Sequence, residues 1–217
     1  MAGGYTASLS AETKRHLSMF RSYTPADLLT LANASCGTLS VFACLSYIED
    51  DRSRQLWAAF VLPVLALIFD VLDGYVARLD RERQSRLGAD LDSLADIVSF
   101  GVAPAVLGYT LGLRGLWDVI FLTYFVCCGI SRLARFNVTS SALTNQATGK
   151  VKYFEGTPIP TSIIFVIALA VLHQFGLTGA TFPGGHWNVI GRGLHPFSFL
   201  YLVSGSLMIS TIRVPKP

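Results

Sequence analysis

Charged residues are scarce in this sequence. Lys, Arg, Asp and Glu make up 14% of its 217 residues, whereas hydrophobic residues make up 52%. Soluble domains carry roughly 25% charged residues, so the composition excludes an ordinary soluble domain and predicts an integral membrane protein. It also excludes a soluble nucleic-acid-binding protein, and we expect no nucleic acid among its partners, although the formal net charge is +3.

Cysteine pairs with metal-ligand spacing are also missing. The four cysteines, Cys36, Cys44, Cys127 and Cys128, fall inside apolar stretches and form no CxxC motif, so we expect core residues rather than zinc ligands. A continuous apolar run is absent from the first 25 residues, which argues against a cleavable signal peptide. Residues 1–22 are predicted to form a short amphipathic helix on the membrane surface.

Long apolar stretches are what the sequence has instead. We expect helices here, since a helix satisfies its backbone hydrogen bonds within lipid. The sequence therefore predicts an all-α integral membrane fold, a bundle of six transmembrane helices in one domain over residues 23–217. Its glycine-rich segment 179–193 predicts a flexible loop. The six stretches run over about residues 27–48, 56–78, 90–113, 115–135, 158–178 and 194–212.

Basic residues are distributed unevenly along these stretches. If the N-terminus faces the cytoplasm, thirteen Lys and Arg residues fall on the cytoplasmic side and four on the other side. Cytoplasmic loops of membrane proteins carry an excess of Lys and Arg. The distribution therefore predicts a multi-pass protein with both termini in the cytoplasm.

Four aspartates interrupt the apolar stretches near the cytoplasmic side. Asp70 and Asp73 are three residues apart and Asp92 and Asp96 are four apart, so each pair shares one helix face. Buried carboxylates are costly unless cations neutralise them. Because oxygen ligands select hard ions, and Mg²⁺ shares its coordination with substrate phosphates, the pattern predicts a divalent-metal site for phosphoryl chemistry. The alternative is helix capping or pairing with the nearby arginines, which are Arg78, Arg81, Arg83 and Arg86.

The same segment resembles a family signature. "DVLDGYVAR" followed by "GADLDSLAD" is similar to the pattern D-x-x-D-G-x-x-A-R and G-x-x-x-D-x-x-x-D of the CDP-alcohol phosphotransferase family. The resemblance implies that family's six-helix membrane bundle and two divalent ions per active site, Mg²⁺ or Mn²⁺, with Ca²⁺ also able to bind. It implies that Asp70, Asp73, Asp92 and Asp96 hold the ions, and that Asp96 is also the general base.

The resemblance further implies a site for a CDP-linked lipid around the first two aspartates. Gly74 and Ala77 would leave room for the cytidine, and Arg78 completes that half of the signature. Gly88 would let the two helices approach closely. Asn33 in the first helix is expected either to contact the nucleotide or to form a hydrogen bond between helices.

Two further stretches concern the acceptor alcohol. Residues 128–137, "CGISRLARFN", place Arg132 and Arg135 three residues apart at the end of the fourth helix. Arginine suits bidentate binding of a carboxylate, and Asn137 could take an amino or hydroxyl group, which points to an amino-acid acceptor. The alternative is that both arginines anchor a helix end at the membrane surface.

This stretch and "TGKVKYFEGTPIPT", residues 148–161, are similar to segments of the phosphatidylserine synthases, especially the fungal type. The resemblance implies CDP-diacylglycerol and L-serine as substrates, with Arg135 on the serine carboxylate. Lys150, Lys152 and Glu155 are expected either to close over the substrate or to form a solvated loop. The implied serine pocket consists of Arg132, Arg135, Phe136 and Asn137.

Three functions stay open. The first is transfer of a phosphatidyl group to serine, and the second is the same chemistry with inositol or glycerol 3-phosphate. The third is a cation transporter that uses the intramembrane carboxylates. For the enzyme, the resemblance also implies a homodimer with its active site facing the cytosol, in the endoplasmic reticulum membrane if the source is a eukaryote.

Overall fold

The computed structural model describes residues 24–79, 86–144, 153–210 and 213–215, and helices dominate this part of the chain. The predicted amphipathic helix of residues 1–22 lies outside the described residues. Two of the later helices are preceded by short 3-10 turns, Ile159–Ser162 and Pro196–Ser198. The helices are α1 Pro25–Asp50, α2 Ser53–Leu79, α3 Arg86–Asp96, a π-helical turn Ile97–Val102, α4 Ala103–Thr110, α5 Leu116–Thr144, α6 Ile163–Gln174 and α7 Phe199–Met208.

These elements form six apolar helical segments within the described part of the chain. Four of them are long and apolar enough to cross a membrane, namely Pro25–Asp50, Ser53–Arg78, Leu87–Thr110 and Leu116–Val138. Two shorter ones, Ile159–Gln174 and Pro196–Met208, follow. The predicted all-α membrane bundle with six apolar helices is therefore confirmed.

Helix α1 begins at a capping box and buries a polar face. The Thr24 side chain accepts a hydrogen bond from the Asp27 N–H, and the Asp27 carboxylate accepts one from the Thr24 N–H at 2.7 Å. This satisfies donors that a helix start leaves unpaired. The buried positions of α1 recur every three or four residues and are small or polar: Asp27, Thr30, Asn33, Cys36, Gly37, Ser40 and Cys44.

The small residues on this face let the neighbouring helices approach α1 closely. Ser40 Oγ donates to the carbonyl of Ala59 in α2 at 2.8 Å. A Cβ atom on Gly37 would lie 2.7 Å from the Cα atom of Ser99 in the π-helical turn. Helix α1 therefore contacts both of the helices that carry the signature aspartates, and it also packs against the π-helical turn that follows α3.

An aromatic cluster connects the later helices to the bundle. Tyr201 of α7 is fully buried, and its ring centroid lies 4.5 Å from that of Phe165 in α6 and 5.4 Å from that of Phe125 in α5. Its hydroxyl donates to the carbonyl of Pro104 in α4 at 2.9 Å. This contact gives the buried hydroxyl the partner that burial requires.

The alternating direction of the helices gives the bundle two ends. We call the end where α2 finishes and α3 begins the site end, and the other the opposite end. At the site end, strands β1 (Tyr153–Glu155) and β4 (Arg213–Pro215) pair in antiparallel fashion. At the opposite end, strands β2 (Trp187–Val189) and β3 (Arg192–Leu194) form an antiparallel hairpin.

Two predictions about individual segments need correction. The flexible loop predicted over 179–193 instead contains the β2–β3 hairpin and a 3-10 turn, Gly179–Thr181. Asp118 organises this region, because it accepts hydrogen bonds from the backbone N–H groups of His195 and Gly115 at 2.8 and 3.0 Å. Of the four cysteines predicted to be core residues, Cys127 is exposed whereas the other three are buried.

Candidate active site

Three carboxylates meet where α2 ends and α3 begins. Asp70, Asp73 and Asp92 each place one carboxylate oxygen within 4.8 Å of the others. Asp73 is buried, with 7% of its surface exposed, and the other two are partly buried. The three-residue spacing on α2 places Asp70 and Asp73 on one face, and α3 brings Asp92 opposite them.

This three-aspartate cluster could hold a divalent cation. Its oxygen-only ligands suit a hard ion. One carboxylate oxygen of Asp92, Oδ1, is buried and has no hydrogen-bond partner among the described residues. A buried acceptor without a donor is costly, and a bound cation would remove that cost.

Asp96 lies one helical turn beyond Asp92 and is held separately. It is buried, with 7% of its surface exposed, and its Oδ1 atom accepts a hydrogen bond from Asn33 Nδ2 at 3.3 Å. The group of three mutually close oxygens does not include it. The structure thus separates the four signature aspartates into a cluster of three and one buried neighbour. Asn33 forms one of the two contacts that its sequence position suggested, a hydrogen bond between helices.

Thr30 is a site residue that the sequence analysis missed. Its hydroxyl lies 2.7 Å from Asp73 Oδ2, to which it donates, and the contact is buried. A signal was present in the sequence, because Asp27, Thr30 and Asn33 recur at intervals of three in a helix that is apolar enough to cross a membrane. Such polar residues facing the interior of a membrane bundle need partners.

The signature glycine after Asp73 borders open space. A Cβ atom built on Gly74 would meet no atom within 4 Å. Ala77 and Gly88 are partly buried, whereas Arg78 is exposed. The surface beside Asp73 therefore has room for a ligand, and the assignment of these residues to a CDP-linked lipid stays a prediction.

The residues predicted to bind serine lie in different environments. Arg132 is partly buried and within electrostatic reach of Asp96. Its buried Nε atom has no hydrogen-bond partner among the residues that the structure describes. Arg135 and Phe136 are exposed. Arg132 is therefore more buried than Arg135, and it interacts electrostatically with a signature aspartate.

Asn137, the fourth predicted serine ligand, ties α5 to α3. Its Oδ1 atom accepts from Ser93 Oγ at 3.1 Å, and its Nδ2 group donates to Asp90 Oδ1 at 3.2 Å. These contacts keep the end of α5 beside the helix of Asp92 and Asp96.

The loop before α6 is anchored at the site end. Glu155 occupies the register position opposite Arg213 in the β1–β4 pair. The next residue, Gly156, has a positive φ of 74° and packs against the backbone of Met208, where a side chain would collide with the Met208 carbonyl. Lys150 and Lys152, which are expected either to close over the substrate or to form a solvated loop, lie outside the described residues.

The alternative reading of the aspartates as ion-pair partners finds no support within residues 24–79 and 86–144. The ion pairs among the described residues are Arg52 with Asp50 and His195 with Asp118, all at the opposite end. Arg78 is exposed and forms no ion pair with a signature aspartate. Arg81, Arg83 and the side chain of Arg86 lie outside the described part of the structure.

Comparison with known proteins agrees with this geometry. The family model described as CDP-alcohol phosphatidyltransferase matches residues 23–200. A CDP-diacylglycerol–serine O-phosphatidyltransferase of Saccharomyces cerevisiae is 41% identical over 207 residues, which cover 94% of this chain and 75% of that protein.

Two prokaryotic relatives extend the similarity. An archaetidylserine synthase of Methanothermobacter thermautotrophicus is 35% identical over 192 residues, 88% of this chain and 69% of that protein. A CDP-diacylglycerol–serine O-phosphatidyltransferase of Helicobacter pylori is 34% identical over 195 residues, 88% of this chain and 71% of that protein. With its signature aspartates gathered at one end of a membrane helix bundle, the chain belongs to the CDP-alcohol phosphatidyltransferase family.

Proposed function

We propose that this protein is a phospholipid-synthesising enzyme that transfers the phosphatidyl group from CDP-diacylglycerol to L-serine. The products are phosphatidylserine and CMP. The observation that carries the proposal is the convergence of Asp70, Asp73 and Asp92 on one point, with Asp96 beside them inside an apolar bundle. Relatives from a yeast, a bacterium and an archaeon all have serine in the names of their activities or products, which supports serine as the acceptor.

The cluster of Asp70, Asp73 and Asp92 is proposed to hold divalent ions. Mg²⁺ or Mn²⁺ fits its oxygen ligands, and two ions per site, with Asp96 contributing to the second, are expected from the family resemblance. When bound, such ions would neutralise the diphosphate of the CDP-lipid and the charge on the departing CMP. Thr30 would keep the Asp73 carboxylate turned toward the cluster through its 2.7 Å hydrogen bond.

Asp96 is proposed to act as the general base. It takes the proton of the serine hydroxyl while the hydroxyl oxygen forms a bond to the phosphorus of the phosphatidyl group. The bond from that phosphorus to the CMP oxygen breaks, and the electron pair leaves with CMP. Proton transfer by a positioned side chain contributes typically about 10²–10⁴-fold to such rates.

Arg132 is proposed to bind the serine carboxylate. It is partly buried and close enough to Asp96 to interact with it electrostatically. A serine held by its carboxylate at Arg132 would present its hydroxyl toward Asp96. Inositol and glycerol 3-phosphate lack a carboxylate, so this contact would favour serine over them.

Location and assembly are also proposals. The site end is proposed to face the cytosol, since most basic residues of the sequence fall on that side. In a eukaryotic cell we expect the endoplasmic reticulum membrane. A homodimer is expected from the family resemblance, and chemical cross-linking in native membranes would test it.

The test is CMP release by the purified protein in detergent with CDP-diacylglycerol and Mn²⁺ or Mg²⁺. L-serine, myo-inositol and glycerol 3-phosphate are compared as acceptors, with and without EDTA. Release with serine alone that EDTA abolishes is the expected result. Release with another acceptor would refute serine but keep the site, and cation flux without any CMP release would favour the transporter.

A further inference from the structure

The helix that carries Asp92 and Asp96 changes its winding directly after Asp96. Helix α3 ends at Asp96, and Ile97–Val102 form a π-helical turn that is closed by a hydrogen bond from the Ala103 N–H to the Val98 carbonyl. π-helical turns are rare, and they occur frequently at functional sites. This turn lies inside the bundle, because Ser99 and Phe100 are fully buried.

Two other elements hold the turn by hydrogen bonds. The hydroxyl of Ser99 donates to the backbone carbonyl of Asn33 in α1 at 2.9 Å. The hydroxyl of Ser162, in the 3-10 turn before α6, donates to the backbone carbonyl of Phe100 at 2.5 Å. All four residues have 0% of their surface exposed, so no water competes for these bonds.

Close packing fixes the turn against α1. A Cβ atom on Gly37 would lie 2.7 Å from the Cα atom of Ser99. The contact is between backbones, and a side-chain rotation could not relieve it. The turn can therefore pack against α1 in this position only because residue 37 is a glycine.

Asn33 connects this packing contact to the site. Its backbone carbonyl accepts from Ser99, and its side chain donates to Asp96 Oδ1 at 3.3 Å. Asp96 immediately precedes the turn, so the winding of the turn fixes the direction in which the Asp96 side chain leaves the helix. The same α1 residue thus holds both the turn and the carboxylate.

We infer that the π-helical turn positions the Asp96 carboxylate for proton transfer, with Ser99, Ser162 and Asn33 as positioning residues. The inference rests on the proposed role of Asp96 as general base. The hydroxyls of Ser99 and Ser162 donate to the backbone carbonyls of Asn33 and Phe100 rather than to the three-aspartate cluster. They act by holding the backbone from which Asp96 projects.

The test compares Ser99→Ala and Ser162→Ala with Ser40→Ala. Ser40 is an equally buried serine of α1 whose hydroxyl also donates to a backbone carbonyl of another helix, that of Ala59 at 2.8 Å. It lies about 10 Å along α1 from Asn33. The three variants lose the same kind of hydrogen bond, so we expect them to lose similar amounts of thermal stability. Their melting temperatures in detergent check that the variants are matched in this respect.

Four quantities are measured for each variant: kcat, the KM for serine, the KM for CDP-diacylglycerol and the direct Kd for Mn²⁺. We expect Ser99→Ala and Ser162→Ala to lower kcat by about tenfold or more, since misplacement by 1 Å can cost about 100-fold. Both KM values and the Mn²⁺ affinity of the three-aspartate cluster should stay within about twofold of wild type. Ser40→Ala should leave all four unchanged.

A loss of kcat in Ser40→Ala equal to that in the other two variants would overturn the inference. A loss of Mn²⁺ affinity at the three-aspartate cluster that parallels the loss of kcat would also overturn it, because the whole site would then be loosened. If wild type releases CMP only with another alcohol, serine is refuted and the variants are compared with that alcohol. If wild type releases no CMP with any of the acceptors tested, both proposals are overturned.

Discussion

At the scale of single residues, the four signature aspartates have different surroundings. Three of them lie close together at the site end, whereas Asp96 is buried beside them and accepts a hydrogen bond from Asn33. Four carboxylates of the same chemistry can therefore serve two roles, because the packing of α1, α2 and α3 gives Asp96 surroundings different from those of the other three. This difference can be tested by replacing one carboxylate at a time.

Asp96→Asn is expected to lower CMP release by about 10²-fold or more, because an amide cannot take the proton of the acceptor hydroxyl. Binding of CDP-diacylglycerol, and of Mn²⁺ at the three-aspartate cluster, should change by only a few-fold, since Asp70, Asp73 and Asp92 remain. Rates and direct Mn²⁺ binding measure the two effects. The matched control is Asp90→Asn, at an exposed position of the same helix, which should keep turnover because its amide oxygen can still accept the hydrogen bond from Asn137. Near-normal turnover in Asp96→Asn would refute its role as the base.

The two arginines of α5 can be separated in the same way. Arg132→Gln is expected to raise the KM for serine by roughly tenfold, because a hydrogen bond to a charged group is worth about 1.5–3 kcal/mol. Arg135→Gln should have a smaller effect, since Arg135 is exposed. Steady-state kinetics with serine and CDP-diacylglycerol varied in turn give the KM values. An equal rise for both substrates would mean that Arg132 supports the fold or the diphosphate instead.

The sequence predicts the aspartates but not their partners. Spacings of three and four residues place Asp70 with Asp73, and Asp92 with Asp96, since they follow from the geometry of a single helix. The hydrogen bond from Thr30 to Asp73 spans 43 residues, and that from Asn33 to Asp96 spans 63. Contacts between residues far apart in the sequence depend on how the helices pack, and the spacing of residues within one helix does not predict them. The preference for Arg132 over Arg135 depends on burial in the same way.

At the scale of elements, hydropathy predicts the six helices but not how they are wound. The stretch over 90–113 is one apolar segment in the sequence, yet the structure divides it into α3, a π-helical turn and α4. The turn depends on partners in α1 and before α6, so the local sequence does not specify it. The β2–β3 hairpin was missed for a similar reason, because Asp118 holds its end from 77 residues away.

The β1–β4 pair at the site end provides a test of an element. Strand β4 pairs with the strand that leads into Gly156 and α6, with Phe154 opposite Val214. Ending the chain after residue 212 removes β4. If the loop that precedes Gly156 closes over the substrate, this truncation should raise the KM for serine, because the loop loses its anchor. The Kd for Mn²⁺ should not change.

A chain ending after residue 215 is the matched control, since it loses only Lys216 and Pro217 and keeps the pair. It should behave as wild type in steady-state kinetics. If both truncations raise the KM for serine equally, the terminal residues act without the strand pair. If neither does, the pair has no part in holding the acceptor.

At the scale of the whole molecule, the two ends of the bundle treat buried aspartates in opposite ways. At the opposite end, Asp118 is fully buried and satisfied, since it accepts from His195 Nδ1 at 2.6 Å and from two backbone N–H groups. At the site end, three carboxylates lie together and one buried oxygen of Asp92 has no hydrogen-bond partner among the described residues. The first arrangement stabilises the fold by itself, whereas the second needs a cation.

This contrast predicts that, of two equal substitutions, only the one at the site end has an effect on stability that depends on metal. In EDTA, Asp92→Asn should raise the melting temperature in detergent, because it removes repulsion between neighbouring carboxylates. In saturating Mn²⁺ it should melt below wild type, since the ligand it has lost no longer stabilises the native state through binding. Asp118→Asn should destabilise the protein by about 2 kcal/mol in both conditions, because it leaves a buried donor unsatisfied, and its Mn²⁺ affinity should equal that of wild type. Thermal unfolding with and without Mn²⁺ measures both variants, and a metal-independent effect of Asp92→Asn would mean that Asp92 is a structural residue rather than a ligand.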